Sequence, residues 1–270
     1  MKIQYVSDIH LEHRKRIPDI EPLPGCDILV LAGDIGIPSS RIYSQFLRTC
    51  SYKWKHTFVL YGNHEFYNEK GNSYTMTEMK KFSELFPDNV FFMDNDVFYV
   101  YRSHVANVVD SSLDETPLKI IGSTLWSNIT NSVASKTNDR KNIIMSTGIV
   151  FDKKILPKDI RTMFETNKKY IIDNVKSEPN IPVVIVTHHG THNMCQGYYE
   201  KSPLSSGYAT HIPELFENRN LVACINGHTH SSIDETVEGG TQLLSNCMGY
   251  PGESRRIVCY NPKAELYINL

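Results

Sequence analysis

Five short groups in this sequence bring together residues able to do chemistry: Asp8-Ile9-His10, Gly33-Asp34, Gly62-Asn63-His64-Glu65, His188-His189 and Gly227-His228-Thr229-His230. Carboxylate, imidazole and amide oxygen donors together suit divalent first-row metal ions, and no cysteine pair is spaced to add thiolates. Asp8 and His10 stand two apart where an extended segment ends, so they point to the same side and can share one ion. His228 and His230 have the same relation and could serve one ion or one each. The glycines at 33, 62 and 227 allow sharp turns and a close approach of backbone to metal.

The elements that must position these groups are legible as apolar runs. Ile3 to Val6, Asp27 to Leu31, Thr57 to Tyr61, Leu118 to Ile121, Val183 to Thr187 and Leu221 to Ile225 read as buried strands ending in polar or glycine-bearing turns. All five groups directly follow such a run. In an open α/β sheet, ligands gather beyond the carboxyl ends of the strands, so the groups should converge on one rim. Helical spacing is expected over 39–54, 73–86 and 157–176; in the last, Ile160, Met163, Phe164, Tyr170, Ile171 and Val175 fall roughly on one stripe, with Pro157 suited to a first turn. Alternating strands and helices predict a layered α/β fold. The C-terminal part, with runs at 242–244, 255–260 and 265–270, is expected to be β-rich. Residues 128–142, rich in Ser, Thr and Asn and without a clear period, read as a surface insertion.

Bulk properties exclude several classes. The 270 residues, 40% hydrophobic and 21% charged, suit one globular domain over 1–270 with a packed core. A formal charge of -2 gives no signature of a dedicated nucleic-acid surface. Cys26, Cys50, Cys195, Cys224, Cys247 and Cys259 are scattered and read as reduced thiols. Met1 runs straight into an expected strand, so no signal peptide is expected, and no run approaches the ~20 apolar residues of a membrane span. A cytoplasmic location is the default expectation.

The order D-x-H, G-D, G-N-H-E, a strand-end histidine and G-H-x-H, from Asp8 to His230, resembles the calcineurin-like metallophosphoesterase superfamily. The resemblance implies a four-layer α/β/β/α sandwich of two mixed β-sheets with a two-metal site at the strand ends. It puts Asp8, His10 and His230 on one divalent ion (Mn, Fe, Zn or similar) and Asn63, His188 and His228 on the other, with Asp34 bridging. His188 is preferred over its neighbour His189 because it lies nearer the strand end. His64 matches the family's catalytic histidine. Two ions about 3.5–4 Å apart can hold a bridging hydroxide for in-line attack. Their charge outweighs that of the two aspartates, which favours an anionic phosphoester over a neutral ester.

Departures from the pattern narrow the activity. The arginines that Ser/Thr protein phosphatases carry after G-D and before G-N-H-E are missing from the stretches 33–37 and 61–63, and Ile37 stands where purple acid phosphatases place a tyrosine ligand. Repair nucleases bring additional domains and a basic groove. What remains is a phosphodiesterase or phosphomonoesterase for a small or nucleotide-like substrate. The rival from another class is a non-catalytic scaffold of the same fold. The Gly-Tyr-Pro-Gly turn at 249–252, similar to one in many bacterial-type members, makes Tyr250 and Arg255 candidate substrate contacts alongside His189. His192 and His211 flank a Tyr- and Ser-rich stretch that reads equally as substrate-facing or ordinary loop. The basic residues of 14–16 and 153–154 read as solvated faces.

Overall fold

The computed structural model describes residues 1–67, 72–145, 153–237, 239–253 and 259–270. Strand β1 (Lys2–Val6) and β2 (Ile28–Ala32) are followed by helix α1 (Arg41–Lys53), β3 (His56–Leu60), α2 (Asn72–Ser83) and β4 (Val90–Met93). The chain continues through β5 (Asp96–Val100), β6 (Val105–Ala106), β7 (Leu118–Ser123), the short helices α3 (Asn131–Ala134) and α4 (Asp139–Asn142), and the ribbon β8 (Ile144–Met145) with β9 (Lys153–Lys154). Helix α5 (Pro157–Ser177), β10 (Val183–Thr187), α6 (Pro213–Phe216), β11 (Leu221–Asn226), β12 (Ile233–Thr236), β13 (Gln242–Ser245) and β14 (Glu265–Tyr267) complete the order.

Two mixed sheets result. In the first, β1 to β4 run parallel in sequence order and β14 joins the β1 edge antiparallel, pairing Tyr267 with Lys2. The second is ordered β12-β13-β11-β10-β7-β5-β6, parallel across its four central strands and antiparallel at both flanks. Parallel strands are covered on both faces, which is why their sequences are continuous apolar runs. Within β2 the period of two sends Ile28, Val30 and Ala32 toward the second sheet, where they meet Ile120, Val184, Val186 and Ile225. The alternate residues Leu29 and Leu31 pack on Tyr43, Phe46, Leu47 and Cys50 of α1. On the far side Ile160, Phe164, Ile171 and Val175 of α5 cover Ile121, Val183, Ile185 and Cys224. The layers are therefore α/β/β/α, the architecture implied by the sequence motifs.

Capping fixes the long helices. Ser40 Oγ accepts a hydrogen bond from Tyr43 N at 3.3 Å to start α1, and Pro157 opens α5 with Asp159 accepting from Leu156 N at 2.9 Å. The run Val90 to Val100, overlooked in the sequence, holds two strands in different sheets, with the chain crossing between them at Asp94 and Asn95. Residues 128–142, expected as a surface insertion, form two helical turns with Val133, Ala134 and Asp139 buried. The segment lacked a period because each helix is a single turn. Of the strand expected over 255–260, residues 255–258 lie outside the described residues, and Cys259 and Tyr260 are in no strand. Cys26, Cys50, Cys195, Cys224 and Cys247 are buried free thiols.

Candidate metal centre

The parallel strands of both sheets end at the same rim, and each candidate ligand sits within a few residues of such an end. Asp8 and His10 follow β1, Asp34 follows β2, Asn63 and His64 follow β3, His188 follows β10, and His228 and His230 follow β11. Backbone hydrogen bonds lash these turns together: Asp8 N to Gly33 O at 3.0 Å, His10 N to Asp34 O at 3.0 Å and Gly227 N to His188 O at 3.1 Å. Asp8, His10, Asp34, His228 and His230 all have left-handed φ values, between 51° and 71°. Such a conformation costs a non-glycine residue roughly 1 kcal/mol or more, so strain is concentrated at this rim. Three glycines at this rim are needed for space, Gly33 because a Cβ there would collide with His188 Nδ1. A Cβ on Gly62 would collide with Asp34 Oδ1, and one on Gly227 would come within 2.6 Å of Asp8 Oδ2.

The imidazoles are oriented from behind. His188 Nδ1 lies 3.0 Å from Ala32 O, which can only accept, so Nδ1 carries the proton and Nε2 presents a lone pair inward. That lone pair faces Asn63 Oδ1 at 3.0 Å and Asp34 Oδ1 at 3.3 Å. His10 Nδ1 is 3.1 Å from Glu12 Oε1 and His230 Nδ1 is 2.6 Å from Glu253 Oε2, so these rings also turn Nε2 inward, 3.0 Å apart. Asp8 Oδ1 is 3.4 Å from His230 Nε2. Asn63 has a fixed orientation too: its Nδ2 donates to Asp139 Oδ1 at 2.7 Å and to Tyr67 OH at 3.0 Å, leaving Oδ1 for the centre. Acceptors facing acceptors at about 3 Å repel unless a cation or proton lies among them. The donor set thus fits divalent metal ions: Asp8 groups with His10 and His230, Asp34 with His188 and His228, and His64 also comes within reach of His10 and Asp34 on one side and of Glu12 and His13 on the other.

The electrostatics agree with a site that collects positive charge. Burial opposes ionisation of Asp8 and Asp34, yet the surrounding histidines hold both carboxyls below their ordinary value, Asp34 well below it. Burial likewise opposes charge on His188 and His64, but Asp34 overrides it and raises them to about 10 and about 9, with Glu12 helping at His64. Burial and the charge of His188 push His189 down to about 3, and His228 is lowered well below its usual value by withdrawal from water and by His189 and His188. Glu65 takes hydrogen bonds from the backbone N–H groups of Asp34, Ile35 and Gly62 at 3.1, 2.8 and 2.7 Å, bracing the G-D turn against the G-N-H-E turn.

His64 stands apart from the inward-facing set. Its Nδ1 is 2.9 Å from Glu12 Oε1 and its Nε2 is 3.2 Å from Tyr250 OH and 3.9 Å from Asp34 Oδ2. A cavity of about 270 Å³ opens over Asp34, Asn63, His64, His228 and His230, with Tyr199, Tyr208 and Tyr250 among its walls. Tyr250 is therefore placed beside His64. His189 is buried between Trp126 and His228, with ring centroids 5.6 and 4.1 Å away, and does not line the cavity. Arg255 lies outside the described residues. His192 and His211 pack on each other around a different hollow, while Tyr199 and Tyr208 from the loop between them do reach the centre. Arg14, expected on a solvated face, instead donates to Ile9 O and to Gly249 O, clamping the first turn to the Gly-Tyr-Pro-Gly turn.

Sequence reasoning missed the supporting carboxylates Glu12, Glu65, Asp139 and Glu253. The first two had a local signal, since Glu12 lies two residues beyond His10 and Glu65 belongs to the G-N-H-E block. Asp139 and Glu253 had none, because only tertiary packing brings them to Asn63 and His230.

A four-layer α/β/β/α sandwich with Asp, His and Asn donors converging at its strand ends defines a metal-dependent hydrolase. The chain belongs to the family described as calcineurin-like phosphoesterase, whose model matches residues 1–232. It is accordingly a hydrolase of phosphoester bonds. An uncharacterized protein of Acanthamoeba polyphaga mimivirus is 28% identical, over 99% of this chain and 96% of its own. Among solved structures, the Phosphopantetheinyl Hydrolase (PptH) from Mycobacterium tuberculosis superposes with a TM-score of 0.64 at 15% identity, covering 94% of this chain and 92% of that one. Among the described residues no helix is long and apolar enough to cross a membrane.

Proposed function

We propose that the chain hydrolyses a small or nucleotide-like phosphoester at two divalent cations. Asp8, His10 and His230 hold one, Asn63, His188 and His228 hold the other, and Asp34 lies between them. The observation that carries this reading is the set of inward-facing Nε2 atoms of His10, His188 and His230, each ring fixed by a hydrogen bond on its far side. When bound, such cations supply Lewis acidity that polarises phosphoryl oxygens and activates water. The rest of the work falls to the protein.

His64 is the proton donor to the leaving oxygen. Its Nδ1 is anchored on Glu12 and the charge of Asp34 favours the imidazolium, so Nε2 carries a proton toward the cavity. Tyr250 OH, 3.2 Å from Nε2, shields and positions that proton. The tyrosine walls exclude water and strengthen the interactions inside the cavity.

The test is turnover of p-nitrophenyl phosphate, bis(p-nitrophenyl) phosphate and a nucleotide panel, with metal analysis on the same sample. The wild type should be active, and His64→Ala should keep its metals while kcat falls on the order of 10²–10⁴-fold. An unchanged rate in His64→Ala would remove that residue from the reaction.

A further inference from the structure

Resting on the phosphoesterase reading of the site, we propose that the substrate is a phosphodiester laid across the centre, with one arm in each of two grooves and a second anionic group on one arm. The cavity over Asp34 is not the only depression at the centre. A second groove of about 480 Å³ adjoins it, and His64, Tyr67, Asn138 and Tyr250 line both. A monoester has one substituent on phosphorus and needs one groove. Two grooves meeting at the proposed proton donor fit a phosphorus atom with a substituent on each side.

The grooves differ in chemistry. In the first, Tyr199 and Tyr208 stack at 4.3 Å beside Leu204, a wall suited to a flat or apolar arm, and its lysine, Lys136, shares the lining with Asp139 and Glu253. The second is edged by Lys141 and Lys154. In the β8–β9 ribbon Ile144 pairs with Lys154, and both line the groove. The alternate residue Lys153 instead pairs with Asp159 at 3.4 Å. Neither Lys141 nor Lys154 has an ion-pair partner among the described residues. Glu12 is the carboxylate in that groove, and one of its oxygens is already shared by His10 and His64. Two cations lining one groove with no counter-charge among the described residues fit a phosphate or carboxylate on the bound arm. The reaction itself is ordinary hydrolysis: the oxygen of water bonds to phosphorus, the bond to one ester oxygen breaks, and that arm departs.

The experiment uses the metal-loaded full chain and three chromogenic probes: p-nitrophenyl phosphate, the p-nitrophenyl diester of thymidine 5′-phosphate, and the same diester bearing a 3′-phosphate. The nitrophenyl arm suits the tyrosine wall and the 3′-phosphate suits the lysines. The expected order of kcat/KM is 3′-phosphorylated diester, then plain diester, then monoester. The 3′-phosphate should lower KM about tenfold, the scale of charge-assisted contacts at a partly exposed site. Lys141→Ala with Lys154→Ala should bring the two diesters to equal kcat/KM, a ratio taken on one sample and so insensitive to the fraction folded. Equal rates for both diesters in the wild type, an unchanged ratio in the double variant, or preference for the monoester would each overturn the proposal. Failure to hydrolyse any of the three with any divalent ion would overturn the phosphoesterase reading beneath it.

Discussion

His10, His188, His230 and Asn63 are each held by a partner outside the centre, and these partners set what the donors can do. Asn63 is the clearest case, because an amide has two ends and only one can face a cation. Asp139 and Tyr67 take the Nδ2 end at 2.7 and 3.0 Å, so Oδ1 is presented inward. Removing the carboxylate frees the amide to rotate. Asp139→Ala should therefore weaken metal binding about 10- to 100-fold, the usual scale for losing such a supporting contact, with the folded state retained. Titration with a divalent ion followed by calorimetry checks this, and an unchanged affinity would mean that Asn63 needs no orienting partner. The candidate ligands were legible in the sequence because each sits one to five residues past an apolar run. The supporting carboxylates Asp139 and Glu253 were not, since no local pattern marks a residue that becomes a partner through tertiary packing.

At the level of elements, the second sheet and its covering helix are tied at one point by a buried cation. Lys119 is the second residue of β7, 1% exposed, and its Nζ reaches Asn174 O at 2.7 Å, Ser177 Oγ at 2.8 Å and Glu178 Oε2 at 2.6 Å. These atoms end α5, where carbonyls lack helical partners and positive charge is favoured. Lys119→Met keeps the bulk but strands those acceptors. It should cost about 2 kcal/mol, less than for a fully enclosed pair because Glu178 keeps access to water. A urea melt resolves a change of that size, and a midpoint equal to wild type would show that the contact contributes nothing net. Helix α5 was legible from Pro157 and its apolar stripe, and β7 despite its lysine. Residues 128–142 were not, because α3 and α4 are too short to show a period and the buried anchor of α4 is the polar Asp139.

Across the whole molecule, the two sheets are joined on the rim by Ser7 and Met248, whose backbones bond at 2.9 Å, and by the crossing at Asp94 and Asn95. Asn95 Oδ1 accepts from Ser123 Oγ at 2.8 Å and from Asn167 Nδ2 at 2.9 Å, fixing the crossing to β7 and α5. Burial, and then the charge of Asp96, raise the Asp94 carboxyl from 3.8 to about 6. The folded state thus binds the proton more tightly than the unfolded chain. The resulting stability is complete below about 3.8 and is lost as pH rises through about 6. Asp94→Asn, neutral at every pH, should match wild type near pH 4 and exceed it by on the order of 2 kcal/mol at pH 7.5. Denaturant melts across that range would contradict this if the difference were flat. The central claim is that Asp34 lies between two cations, and metal content per chain in wild type and Asp34→Asn tests it most directly. Two divalent ions in the wild type and at most one in the variant are predicted; two retained at full occupancy in Asp34→Asn would contradict it.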